Sequence, residues 1–274
     1  MKNNTFFQAI LSNNGLSYRE IESTWYYTTL GLLSLSVLCL VAGTLDERLF
    51  NGVSVWSKPS KFAFSLAVFF GTLLIFASYL PRGYLHRGVG RFIVLSLVCV
   101  ALGEQAYITF QAALGQASHF NFSTPLRGFI YSMMGVGALW LVTAPLWLAV
   151  IIGKSNPKND PLILSIIIGL VLAFVLGGGF GSYLGSQTSH WVNAAQTDAN
   201  GLWFFGWARD GGDLRVPHFF GLHAMQAVPL CAVFLPKRLD NIYACALVVL
   251  FSAIYAAGCI FTFFQAVGGR PFIG

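Results

Sequence analysis

Seven long apolar runs constrain this chain more than any motif in it. They are Trp25–Leu45, Phe62–Leu80, Phe92–Leu114, Gly128–Ile152, Pro161–Ser186, Pro217–Leu235 and Ile242–Val267. About twenty apolar residues in helical geometry cross the hydrocarbon core of a bilayer. Only helices and closed barrels satisfy the backbone there, and unbroken runs of this length favour helices. The expected fold is an all-α integral membrane protein, a bundle of seven transmembrane helices. Residues 1–24 form a polar N-terminal segment without an apolar core, and 25–274 a single transmembrane domain.

Composition agrees. Of 274 residues, 56% are hydrophobic and 9% charged, against about 25% charged in a soluble domain. The formal net charge of +6 is spread over loops with no Lys/Arg run. This argues against nucleic acid as a partner and for anionic lipid headgroups. The five cysteines all fall in apolar runs and form no CxxC, so they are read as small buried hydrophobes rather than a disulfide framework.

Basic residues suggest an orientation. Arg82, Arg87 and Arg91, Lys154 and Lys158, and Lys237 and Arg238 lie in short connections on one face, whereas the longer loops at about 46–61, 115–127 and 187–216 lie on the other. The positive-inside rule makes the short connections cytoplasmic. The expectation is a multi-pass, bacterial-type inner-membrane protein, N-terminus cytoplasmic and C-terminus periplasmic.

A weak internal repeat accompanies the runs. The third, fifth and seventh helices leave through Gln111-Ala112-Ala113-Leu114-Gly115, Leu184-Gly185-Ser186-Gln187 and Gln265-Ala266-Val267-Gly268. Lys58-Pro59, Thr124-Pro125 and Val216-Pro217 open the second, fourth and sixth, and proline suits the first turn of a helix. Three parallel helical hairpins plus one helix would give this pattern; chance Gly/Gln/Ala matches would too. Either way, three helix N-termini face the outer side beside Lys58, Lys61, Arg127 and Arg215. Such ends favour an anionic group, and interfacial snorkelling is the structural alternative.

The polar residues inside the runs nominate a site. Glu104 is the one acid near the middle of a span, and such a residue is a functional candidate by default. Gln111 shares its helical face, and with Tyr107 these residues form a stripe rising toward His119. On the sixth run His223 and Gln226 share a face at i, i+3, with His218 nearer the start. The expected pocket combines Glu104 and Gln111 with His223 and Gln226, capped by His119 or His218. Glu104, His223 and His119 would carry the chemistry. Lys58, Lys61, Gln111, Arg127, Arg215, Gln226 and Gln265 would bind substrate. His119, His218 and His223 would ligate a divalent metal or a b-type haem, or handle protons. The ligand would be anionic or amphiphilic. A proton-coupled transporter lined by Gln111, Gln226 and Gln265 and a structural membrane subunit are the rival classes. The Gly177, Gly181, Gly185 series is read as helix packing. Bends are expected at Pro145 and Pro229, and an ion-pair cluster from Arg209, Asp210, Asp213 and Arg215.

Overall fold

The computed structural model describes residues 17–157, 159–236 and 238–274. Lys158, Lys237 and most of the polar N-terminal segment lie outside the described residues. The chain is mostly helical. Five long helices, α1 (Ser23–Leu45), α2 (Ser57–Ala77), α3 (Gly88–Ala113), α4 (Pro125–Ser155) and α5 (Pro161–Gly185), precede a broken pair, α6 (Arg215–Leu222) and α7 (Ala224–Phe234), and a final helix, α8 (Asn241–Val267). Six helices are long and apolar enough to cross a membrane, and the broken pair makes a seventh span.

The helix ends follow from local chemistry. Thr124 caps α4 by accepting from Arg127 N at 3.3 Å, with Pro125 at the first helical position. Asp160 caps α5 by accepting from Leu162 N and Ile163 N. Trp25, Phe70, Leu97 and Ile166 are buried in the core. The second helix is the most enclosed span, whereas α1 and α8 are peripheral.

The sixth span breaks by 47° at His223, ahead of Pro229, which lies inside α7. Pro145 lies inside α4. Two short strand pairs sit in the loops: β1 (Leu49–Phe50) pairs antiparallel with β2 (Val53–Ser54), and β3 (Trp191–Val192) with β4 (Gly212–Asp213). Asn51 and Gly52 join β1 to β2 at φ of 52° and 79°, the left-handed pair that suits a two-residue hairpin.

The break in the sixth span has a steric cause on α5. Residues Ala173–Gly178 form a π-helical stretch, which widens the helix and disturbs its regular hydrogen bonding. Against it lies Gly221: a Cβ there would sit 2.6 Å from Gly177 N, and a Cβ on Gly177 would meet Leu222. Two backbones therefore touch where side chains would hold them apart. The Gly177 carbonyl accepts from His218 Nδ1 at 2.9 Å, and the imidazole lies in the space left by Gly181.

Elements that start or end at one face are tied to each other. Arg48 donates to Ala113 O, joining the ends of α1 and α3. Asp198 N donates to Asn51 O, and Gly212 lies against Ala266 and Gly269. Asn156 donates to Tyr79 O at the opposite face. The first is the loop face and the second the turn face.

Because Gly221 abuts backbone, Gly221→Leu should destabilise the fold by about 1–3 kcal/mol. Gly135→Leu on α4, whose Cβ would meet nothing within 4 Å, should be neutral. Thermal unfolding in detergent checks this; equal loss in both variants would contradict the close approach.

Candidate functional site

The second helix brings two cations to the loop face. Lys58 and Lys61 stand in its first two turns, one turn apart on one side. The Lys58 amine lies 3.1 Å from His119 Nδ1, and Lys61 donates to Phe205 O at 3.2 Å. An ammonium can only donate, so His119 Nδ1 accepts and its proton sits on Nε2. Burial, with Lys58 and His218 nearby, holds the His119 pKa well below the usual histidine range. His119 is therefore a neutral acceptor at neutral pH.

A third cation organises the loop above them. Arg215 bonds Asp213, Asp198 at 2.8 Å and the Gly206 carbonyl at 2.6 Å. Asp213, 1% exposed, also accepts from Ala208 N and Arg215 N. Burial works to raise its pKa. The nearby His190 ring, 3.5 Å away, and the hydrogen bonds from Arg215 more than offset that and hold it well below the usual carboxylate range. Asp198 and Asp213 are the carboxylates of this cluster, and both bond Arg215. Among the described residues, neither Lys58 nor Lys61 is within ion-pair distance of a carboxylate. Two amines held by neutral acceptors thus remain at the loop face, in the field of Arg215 and Asp198.

A polar track leads inward from this mouth. His218 Nδ1 donates to Gly177 O, which leaves its Nε2 lone pair open. His223 follows across the break and bonds Gln226 Oε1 at 3.2 Å; Gln226 donates to Thr72 on α2 at 3.0 Å. Thr72 lies fourteen residues along α2 from Lys58, roughly 21 Å at the helical rise. That is more than half the hydrocarbon thickness of about 30 Å.

The structure gathers Lys58, Lys61, His119 and Arg215 at the loop face and joins His223 to Gln226 deeper along α2, with His218 before the break. It places four expected partners elsewhere. Glu104 lies against Gly137 of α4, its Oε1 buried without a hydrogen-bond partner. Gln111 donates to Tyr107 OH at 2.8 Å. No hydrogen bond among the described residues joins Glu104 or Gln111 to His223 or Gln226. Arg127 bonds Ser123 and Gln116 in its own loop. Gln265 holds Pro271 O and so the end of the chain. The expected Arg209–Asp210 contribution is replaced by Asp198, since Asp210 instead accepts from Ala195 N. Sequence reasoning missed Thr72 and Asp198, and set His190 aside as a loop residue. Threonine in an apolar run is ordinary, and the other two gain meaning only when distant loops meet.

The donor set does not fit the expected divalent metal. Among the described residues no group of three or more His, Cys, Asp or Glu is gathered to hold one. At the histidines, the His218 ring lies beside Gly181, and the His223 ring lies tilted against Phe219 at 4.1 Å.

Comparison with protein families, curated proteins and solved structures gives no match for this chain. Its class therefore rests on its own helices, those of a multi-pass helical membrane protein.

Asp213→Asn should destabilise the protein by on the order of 3 kcal/mol, because it removes the main partner of a largely buried cation. The folded-state pKa of Asp213 is depressed, so its contribution is present above the unfolded value near 4 and is lost as pH falls below it. The wild-type unfolding midpoint should drop steeply below about pH 4, and Asp213→Asn should flatten that slope. An unchanged slope would mean the pair adds nothing to stability.

Proposed function

We propose that this protein binds an anionic or amphiphilic molecule at the loop face, through Lys58 and Lys61, with the histidines below handling protons. One observation carries the reading: both amines are held by neutral acceptors while the nearby carboxylates are committed to Arg215. A carboxylate or phosphate arriving there would replace His119 Nδ1 and the Phe205 carbonyl with charge-assisted hydrogen bonds, roughly twice as strong as neutral ones. Neutral His119, freed from Lys58, would then offer its Nδ1 lone pair as a hydrogen-bond acceptor beside the ligand. In this reading the loop face is periplasmic, the N-terminus is cytoplasmic, and the membrane is a bacterial-type inner membrane. No step runs through a metal or haem.

The length of the polar track favours proton-coupled transport as the second reading. A single shallow binding site does not need His223, Gln226 and Thr72 linked so far into the bundle.

Dodecyl phosphate is a suitable probe, with dodecanol as the uncharged control. Binding to the native state raises the unfolding midpoint. Dodecyl phosphate should stabilise the wild type more than dodecanol does. Lys58→Gln with Lys61→Gln should weaken that binding at least tenfold, about 1.4 kcal/mol. Unchanged affinity in the double variant would remove this site from consideration. Transport is tested separately: wild-type proteoliposomes should acidify during dodecyl phosphate uptake, and Gln226→Leu should abolish this without loss of binding.

A further inference from the structure

The turn face carries a second feature, remote from Lys58. A groove of about 620 Å³ runs between α1 and α3. Thr24, Tyr27 and Thr28 line its polar end, and Gly31, Leu35 and Leu102 its apolar end. Gly31 is what opens it: a Cβ there would meet nothing within 4 Å.

Two cations stand at the polar end. Arg91 donates to Thr24 Oγ1 at 3.1 Å and keeps 39% of its side chain exposed. Arg19 lies over the Tyr27 ring at 5.6 Å. Two acids stand nearby. Glu20 accepts from Ser17 N and Oγ. Glu22 is fully buried, accepts from Thr24 N at 2.8 Å through Oε1, has Arg91 and His86 each at 3.5 Å, and keeps Oε2 without a hydrogen-bond partner.

The length of the groove identifies what fits it. Thr24 to Leu35 on α1 and Arg91 to Leu102 on α3 are both eleven residues, about 16 Å of helix. Half of a bilayer hydrocarbon core is about 15 Å. Hydroxyls and guanidinium groups thus sit at headgroup level, and the apolar end reaches the midplane.

We infer that this groove holds one phospholipid with an anionic headgroup, its phosphate against Arg91, Thr24 and Arg19 and one acyl chain over Gly31 toward Leu35 and Leu102. The site belongs to the leaflet at which α1 begins, opposite the Lys58 mouth. Its occupant is a resident lipid rather than the ligand proposed there.

Native mass spectrometry of the full-length protein tests this, with dioleoyl phosphatidylglycerol and dioleoyl phosphatidylcholine offered at equal concentration. The wild type should retain one phosphatidylglycerol per chain in preference to phosphatidylcholine. The Cβ of Gly31→Phe would lie in open space, so its ring extends into the groove. It should cut retention at least fivefold while leaving the unfolding midpoint in lipid-free detergent unchanged. Arg91→Gln should erase the preference for phosphatidylglycerol while lipid is still retained. Equal retention by the wild type and Gly31→Phe, or no headgroup preference in the wild type, overturns the proposal. So does a wild-type dimer that Gly31→Phe converts to monomer, because the groove would then hold a second copy.

Discussion

The close approach of Gly177 on α5 and Gly221 on α6 is the contact on which the polar interior depends. Lipid-embedded helices gain little from hydrophobic association with one another, so packing and hydrogen bonds hold them together. Here the missing side chains let two backbones meet, the π-helical stretch presents the Gly177 carbonyl, and His218 occupies it. The sixth span breaks just beyond, at His223. An uninterrupted α-helix would set His218 and His223 about 140° apart. With the break between them, His218 faces α5 while His223 reaches Gln226 and, through it, Thr72 on α2.

Electrostatics at the loop face follow from which partner each charge can reach. Arg215 starts the sixth span and engages both Asp198 and Asp213. Its fixed geometry suits several acceptors at once. That leaves Lys58 and Lys61, on the most enclosed helix, with an imidazole and a carbonyl. The two faces of the membrane thus differ in kind. One presents lysines above a polar track through the bundle, and the other arginines at the mouth of a peripheral groove.

Much of the candidate site was legible because its residues are conspicuous where they stand. Lys58, Lys61, His119, Arg215, His218, His223 and Gln226 interrupt or border apolar runs, and burying a polar group without a partner is costly. Their partners were not legible. Glu104 shares a helical face with Gln111, yet that face turns to Gly137 of α4 rather than to the sixth span. Nothing in α3 itself fixes which neighbour it addresses. The 47° break at His223 had no such signal; it lies beside the close approach of Gly221 to Gly177 on another helix.

The sequence by itself determined the apolar spans and the capped start at Thr124. These depend on hydrophobic length and helix-end chemistry within a few residues. Tertiary structure alone decided that Asp198 rather than Asp210 meets Arg215, that His223 connects to Thr72, and that α1 and α3 leave a groove one leaflet deep. Each of these joins residues distant in sequence. Their meeting is set by how closely the helices between them can pack, a property of pairs of surfaces rather than of either segment alone.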